Sequence, residues 1–264
     1  MKIPFQQVDA FADRPFAGNP AAVMPLEAWL DDATLQAIAA ENNLAETAFI
    51  VPWAGPEADF ELRWFTPEVE VALCGHATLA TGHALLSREG APETVRFTTR
   101  QAGVLEVRRE GARYRLALPA WSMTPKDLPA EAAALGSVPE ETLWRDGGYA
   151  LFRYADEATI RALDPDFRAM RSFGDFLFIA TAPGDGTDIV SRVFAPGAGI
   201  DEDPVTGSAH CLLATYWAER LGRASFTAYQ ASARGGHLDV ELAGDRVYLG
   251  GSCVTVIEGS FTLA

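Results

Sequence analysis

The chain has 264 residues, and its 36 acidic side chains against 21 basic ones give a formal net charge of −15 at pH 7. A nucleic-acid-binding protein needs a basic surface, and an anionic membrane repels a protein of this charge, so the composition excludes both as partners. The length suits one large domain or two of ordinary size.

The first half of the chain alternates strand and helix patterns. A helix is predicted over 31–43, because its first turn is acidic and its apolar residues recur at helical spacing. A second helix is predicted over 76–89, although Thr78, Thr81 and Gly82 are poor helix formers. Runs of β-branched, aromatic and alternating apolar residues predict strands at 3–11, 44–52, 59–65, 94–100, 103–110 and 112–120.

The second half repeats this rhythm. A helix that begins in 156–170 breaks at Pro165, and a strong helix over 206–222 ends at Gly222. Strands are predicted at 147–155, 176–182 and 188–196, followed by a run of short strands over 225–263.

The two halves share a short motif at equivalent places. The segment FTPEVEVALCGHA runs from Phe65 to Ala77, and FAPGAGIDEDPVTGSA runs from Phe194 to Ala209, about half the chain length later. Each copy has the order strand, F-x-P, irregular loop, G-x-A and helix. The repeat favours two halves of one fold, with two equivalent helix starts that face a cleft between the halves, where ligand sites are common.

Both repeated helix starts could bind an anion. Unpaired backbone N–H groups and the positive end of the helix dipole favour a carboxylate there, and glycine at 75 and 207 lets a ligand approach the backbone. This suits an acidic protein that must hold a small anion without lysine or arginine. Helix capping by the same residues is the alternative that the sequence leaves open.

Glu46 stands out because it begins a strand of small and apolar residues. A carboxylate inside the protein would suit general acid–base chemistry, whereas one at the strand's exposed end would simply face water. His76 lies in the first turn of a predicted helix, where the helix dipole should lower the pKa of its imidazole.

The histidine and cysteine spacings predict no metal site. The four histidines match no compact ligand set, and the three cysteines contain no CxxC pair, so a zinc site and a disulfide framework are both unexpected. The N-terminal segment lacks the apolar stretch of a signal peptide, and no apolar run approaches the roughly 18 residues of a membrane span. We therefore expect a cytoplasmic protein.

Five segments together resemble the phenazine-biosynthesis isomerase family (PhzF-like), which has the diaminopimelate epimerase-like fold. They span the chain in order: GNPAAV at 18–23, NNLAETAFI at 42–50, FTPEVEVALCGHATLAT at 65–81, DEDPVTGSA at 201–209 and QASARGG at 230–236. The resemblance implies an α/β fold of two similar halves related by a pseudo-twofold axis, 1–118 and 119–264. Each half is a mostly antiparallel sheet wrapped around a central helix, and the active site lies in the cleft between the halves.

The resemblance also implies a reaction and residue roles. The family's reaction is a cofactor-independent isomerisation of dihydrohydroxyanthranilate, in which one carboxyl group moves a proton between two carbons of a small carboxylate. It implies a homodimer, no cofactor and no metal. The implied catalytic residues are Glu46, His76 and Asp203, and the implied substrate-binding residues are Asn19, Gly75, Gly207 and Ser208.

Two other functions stay open. Epimerases of this fold use two cysteines, one at each repeated helix start. Cys74 occupies the first position and could have a lowered pKa there, but Pro204 occupies the second, which disfavours an amino-acid epimerase or racemase. A non-catalytic protein that binds small carboxylates is the third possibility.

Overall fold

The computed structural model describes residues 1–263, which form two compact units. The first unit contains Met1–Leu118 and the segment from Tyr248 onward, and the second contains Pro119–Val247. The sequence assigned the whole of 119–264 to the second half. The structure instead places the C-terminal segment in the first unit, because its last strand pairs with the first strand of the chain.

The first unit is built on a mostly antiparallel sheet. Strand β1 lies between β2 and β18, β2 runs parallel to β3, β3 pairs with β4 antiparallel, β4 runs parallel to β6, and β6, β7 and β8 follow as antiparallel neighbours. Its elements are β1 (Lys2–Ala10), β2 (Asn19–Pro25), α1 (Asp32–Asn42), β3 (Glu46–Pro52), β4 (Phe60–Phe65), β5 (Glu70–Val71), α2 (Gly75–Leu86), β6 (Thr94–Thr98), β7 (Val104–Glu110), β8 (Arg113–Pro119) and the last strand, β18 (Cys253–Thr262).

The second unit repeats the same order of pairings. Strand β10 pairs with β11 antiparallel, β11 runs parallel to β12, β12 pairs with β13 antiparallel, β13 runs parallel to β15, and β15 pairs with β16 antiparallel. Its elements are β9 (Thr124–Pro125), α3 (Pro129–Ala134), β10 (Glu141–Arg145), β11 (Tyr149–Arg153), α4 (Glu157–Ala162), α5 (Phe167–Arg171), β12 (Leu177–Pro183), β13 (Ile189–Ala195), a 3-10 turn (Pro196–Ala198), β14 (Ile200–Asp203), α6 (Gly207–Leu221), β15 (Ser225–Gln230) and β16 (Gly236–Ala243). Strand β17 (Arg246–Gly251) begins in this unit, and its residues from Tyr248 onward belong to the first. The predicted fold class is confirmed.

Helix α2 is the central helix of the first unit, and ten of its twelve residues are buried. Its composition follows from this position. The hydroxyls of Thr78 and Thr81 donate to the backbone carbonyls of Cys74 and Ala77 at 2.6 and 2.7 Å, which satisfies these polar groups inside the core. Residues that lower helix propensity are therefore tolerated, since tertiary packing stabilises the helix.

A buried arginine ties the loop before α2 to the sheet. Arg63 on β4 has a side chain only 1% exposed, and its guanidinium donates to both carboxylate oxygens of Glu70 at 2.7 and 2.8 Å and to Asp32 at 2.8 Å. The guanidinium lies 4.9 Å from the ring centre of Phe65 and 5.0 Å from that of Trp29. We call this arrangement an Arg–Glu clip.

The second unit has its own Arg–Glu clip at the equivalent place. Arg192 on β13 donates to both oxygens of Glu202 on β14 at 2.8 and 3.0 Å and to the carbonyl of Leu163 at 2.8 Å, and it lies 4.9 Å from the ring centre of Phe194. In both copies the arginine stands two residues before the phenylalanine of the F-x-P motif. The repeat therefore includes a charged interaction as well as the helix start.

None of the helices in residues 1–263 combines the length and the apolar composition that a membrane-spanning helix needs.

The close approach of α2 to β7 gives a stability prediction. A Cβ atom at Gly82 would lie 2.3 Å from Cγ1 and 2.7 Å from Cβ of Val107, so Gly82→Ala forces the buried strand to shift. Such overpacking costs about 1–3 kcal/mol, whereas alanine gains only about 1 kcal/mol in helix propensity. We expect a lower free energy of unfolding in urea. Gly259→Ala, where nothing lies within 4 Å of the new Cβ, is the control and should change it by under about 0.5 kcal/mol. Unchanged stability of Gly82→Ala would contradict the close packing.

Candidate active site

In the first unit the structure brings together Asn19, Glu46 and His76, with Gly75 at the start of the same helix as His76. Oε2 of Glu46, the first residue of β3, lies 3.1 Å from Nε2 of His76 in the first turn of α2. The Glu46 side chain is 13% exposed and that of His76 4%. The two atoms face each other without the alignment of a hydrogen bond, and neither has another hydrogen-bond partner in the described chain.

Asn19 holds the other side of the imidazole ring. Asn19 is fully buried at the start of β2, and its Nδ2 lies 3.1 Å from Nδ1 of His76. The Sγ atom of Cys74 lies 3.4 Å from the same nitrogen. An amide N–H can only donate, so Nδ1 accepts and the ring proton of a neutral His76 sits on Nε2, toward Glu46.

The pKa values of His76 and Cys74 differ from those expected at the start of a helix. Burial acts to lower the pKa of His76, but the Coulombic attraction of Cys74 and Glu46 for the imidazolium outweighs it, so the pKa lies well above 6.5. Burial, and then the negative charge of Glu46, raise the pKa of Cys74 to about 11. Because Cys74 is thus a neutral thiol near pH 7, Glu46 is the group that favours imidazolium there. The predicted lowering of both pKa values is wrong, because it considered the helix dipole alone.

Three potential metal-ligand atoms, one each from Glu46, Cys74 and His76, lie within 4.8 Å of one another. That spacing could accommodate an ion. A metal would need the thiolate form of Cys74, which burial disfavours until a cation is bound. The absence of a metal from the reaction therefore stays a prediction.

In the second unit the candidate residues surround the start of α6. Asp203 ends β14, and its Oδ2 accepts a hydrogen bond of 2.5 Å from the hydroxyl of Thr206, the residue before the helix. Gly207 and Ser208 are the first two helical residues. Burial raises the pKa of Tyr149, and the neighbouring Ser208 side chain opposes this rise.

The sequence analysis missed Gln230, which fixes this loop. Gln230 is fully buried at the end of β15; its Oε1 accepts from the Thr206 N–H at 2.9 Å, and its Nε2 donates to the carbonyl of Asp203 at 2.7 Å. Gln230 opens the QASARGG segment, which was recognised only as part of a resemblance. Arg63 and Arg192 were missed too, although an arginine precedes each F-x-P motif by two residues.

Neither helix start is capped by its own side chain. The N-cap residues of α2 and α6 are Cys74 and Thr206, and neither side chain makes a capping hydrogen bond. The capping alternative does not account for these residues, since a structural N-cap would use its side chain in that way.

The raised pKa of His76 predicts a pH-dependent contribution to stability. A histidine whose pKa is higher in the folded state stabilises the fold fully below about pH 6.5, and this contribution is lost as the pH rises through the folded-state pKa. We expect the difference in free energy of unfolding between wild type and His76→Asn to be larger at about pH 6 than at about pH 9. His237→Asn, at an exposed histidine, is the control. A difference that grows with pH would contradict the assigned direction.

Comparison with known proteins identifies the fold and the family. A family model described as "Phenazine biosynthesis-like protein" matches residues 8–259. An "uncharacterized isomerase" of Pseudomonas aeruginosa is 48% identical over 265 residues that cover 100% of both chains. The crystal structure of a PhzF-family phenazine biosynthesis protein from Enterococcus faecalis superimposes with a TM-score of 0.92 at 44% identity, with 100% of both chains covered.

A predicted epimerase of P. aeruginosa has a TM-score of 0.78 at 24% identity over 99% of this chain and 100% of its own, which shows that the fold is shared with proteins of that kind. The family match over nearly the whole chain and the isomerase relatives agree with the resemblance seen in the sequence motifs. The chain belongs to the phenazine biosynthesis-like (PhzC–PhzF) family of isomerases.

Proposed function

We propose that this chain is a cofactor-independent isomerase that moves a proton between two carbons of a small carboxylate, as in the isomerisation of dihydrohydroxyanthranilate. The observation that carries the proposal is the nearly buried Glu46 carboxylate, 3.1 Å from the His76 imidazole. A carboxylate in a largely water-excluded place is a suitable general base, and once protonated it is a suitable general acid.

One residue, Glu46, is sufficient to remove and to return the proton in the proposed step. The Glu46 carboxylate removes a proton from one carbon, the freed electron pair shifts a double bond along the substrate, and the protonated Glu46 returns the proton to a second carbon. The substrate's composition is unchanged and nothing is oxidised or reduced. His76 holds the Glu46 carboxyl group in position, and it stabilises the ionised carboxylate before the first transfer and after the second.

The substrate's own carboxylate needs a separate binding place. The starts of α2 and α6, at Gly75 and Gly207, offer backbone N–H groups and a favourable dipole. We assign Ser208 and Asp203 to hydrogen bonding with the substrate. That both helix starts serve one active site, that the protein is a homodimer, and that it is cytoplasmic all stay predictions.

The Cys74 thiol argues against an epimerase. An epimerase needs an acid and a base on opposite faces of one carbon, but Cys74 and Glu46 belong to one compact cluster and the thiol pKa is about 11. At the position that corresponds to Cys74, directly before the helix, the second repeat has Thr206 and not Pro204 as the sequence comparison assigned, and a threonine hydroxyl is a far weaker acid than a thiol.

Glu46→Gln tests the proposal directly. With dihydrohydroxyanthranilate in D₂O, we expect the mutant's rate of solvent deuterium incorporation to fall by about 10²–10⁴, the usual worth of a general acid–base group. Glu27→Gln, at an exposed loop carboxylate, is the matched control and should keep the wild-type rate. Treatment with a chelator should also leave the rate unchanged.

Other outcomes separate the three functions. Exchange at the wild-type rate in Glu46→Gln would exclude the assigned role of Glu46. Deuterium entering with inversion of a stereocentre in a panel of amino acids would indicate an epimerase. Tight binding of small carboxylates without exchange on any of them would indicate a binding protein.

Asn19 gives a second test, because it is fully buried and contacts His76. We expect it to be a positioning residue that sets the His76 tautomer, and not a direct contact of the substrate. Asn19→Asp replaces the donating amide with an accepting carboxylate, which should favour a proton on Nδ1 and so keep His76 doubly protonated to a higher pH. We therefore expect kcat to fall and its pH profile to shift, while KM changes little, and ¹⁵N NMR of His76 should report the altered protonation. A raised KM with unchanged kcat would instead support substrate binding by Asn19.

A further inference from the structure

Beside the start of α6 lies a cluster that no proposed catalytic step uses. Arg145 ends β10, and its guanidinium lies 4.8 Å from the ring centre of Trp121. Trp121 packs edge-on against Tyr149, with ring centres 5.4 Å apart, and the Tyr149 hydroxyl neighbours the Ser208 side chain. All four side chains are partly exposed, so the cluster reaches solvent.

The cluster is held rigidly. Arg145 and Tyr149 are directly opposite each other in the β10–β11 ladder. The backbone of Trp121 is fixed on α6, because its N–H donates to the carbonyl of Cys211 at 3.2 Å and its carbonyl accepts from the Thr215 hydroxyl at 2.5 Å. A guanidinium stacked on an anchored indole loses little conformational entropy when it binds a ligand.

The Arg145 guanidinium has no counter-ion. The chain has 36 acidic and 21 basic residues, so carboxylate partners are plentiful. Other arginines of the second unit form ion pairs with carboxylates, among them Arg161, Arg192 and Arg220. The Arg145 guanidinium makes no hydrogen bond or ion pair within residues 1–263, although the backbone of Arg145 pairs with Tyr149 in the sheet. Asp175 lies within Coulombic range of Tyr149 but does not bind the guanidinium. A partly buried, unneutralised guanidinium is a ready site for an anionic group.

We propose that Arg145 recognises a second anionic group on the substrate and so selects dianionic carboxylates. This rests on the proposed function, in which Ser208 and the start of α6 bind the first carboxylate. Arg145 contacts the Trp121 ring, whereas Ser208 neighbours Tyr149 on the other side of that ring pair, so we assign the guanidinium and the Ser208 hydroxyl to different groups of the substrate. The chemical class is a compact, planar or cyclic carboxylate with a second carboxylate on the same ring.

Isothermal titration with two simple probes tests this specificity. Benzoate carries one carboxylate, and isophthalate carries a second on the same ring. We expect the wild type to bind isophthalate roughly tenfold or more tightly than benzoate, since a charge-assisted pair contributes on the order of a factor of ten. Arg145→Met should remove this preference and leave benzoate affinity unchanged. Arg168→Met, at an exposed arginine of the same unit, is the matched control and should keep the preference.

Each other result overturns the inference. A wild type that does not prefer isophthalate, or that binds neither probe, excludes a second anionic subsite, as does a preference that survives in Arg145→Met. If Arg145→Met is poorly folded by circular dichroism, Arg145→Lys replaces it and should keep only part of the preference, because an ammonium cannot form the bidentate pair. Glu46→Gln should keep the full preference, so loss of proton exchange and loss of dianion selectivity are separable.

Discussion

In both units a guanidinium withdrawn from water must keep its carboxylate partner, because removing one member of such a pair leaves an uncompensated charge at a cost of about 3–5 kcal/mol. Arg63 thereby holds β5 against β4, and Arg192 holds β14 against β13. In each unit the residue before the buried helix, Cys74 or Thr206, follows three residues after that short strand. The Arg–Glu clips thus fix where both helices begin. The positions of the candidate site residues on α2 and α6 therefore depend on these clips.

The proposed catalytic cluster depends equally on the register of the sheet. Asn19 comes from β2, Glu46 from β3 and His76 from α2, and the parallel β2–β3 ladder sets Ala21 opposite Glu46. Side chains alternate between the faces of a strand, so a slip of one residue would turn the Glu46 carboxylate away from the imidazole. The proposed proton-transferring group, Glu46, is thereby held by three elements that are far apart in the sequence, which is the preorganisation that acid–base chemistry requires.

Local patterns predicted the parts of this structure that depend on neighbouring residues. The helix predicted over 31–43 is Asp32–Asn42 with Asp31 as its N-cap, and the F-x-P repeat corresponds to matched strand pairings in the two units. The predictions that were wrong or missing concern contacts between residues that are distant in the sequence. The pairing of β18 with β1 has no local pattern, and the pKa of His76 was assigned the wrong direction because Glu46, thirty positions earlier, could not be placed beside it. Arg145 cannot be singled out from the sequence for the same reason, because its lack of a counter-ion is visible only once the positions of the carboxylates in the fold are known.

The pairing of the two ends of the chain also constrains synthesis. All nine residues of β1 pair with β18, from Lys2 opposite Thr262 to Ala10 opposite Cys253. While the chain leaves the ribosome, one edge of β1 therefore presents free N–H and C=O groups until the final strand emerges, whereas the second unit already has its own strands. The unit that carries Glu46 begins first and is completed last. A nascent chain released before Cys253 would keep an open edge strand, the kind of surface on which chains aggregate.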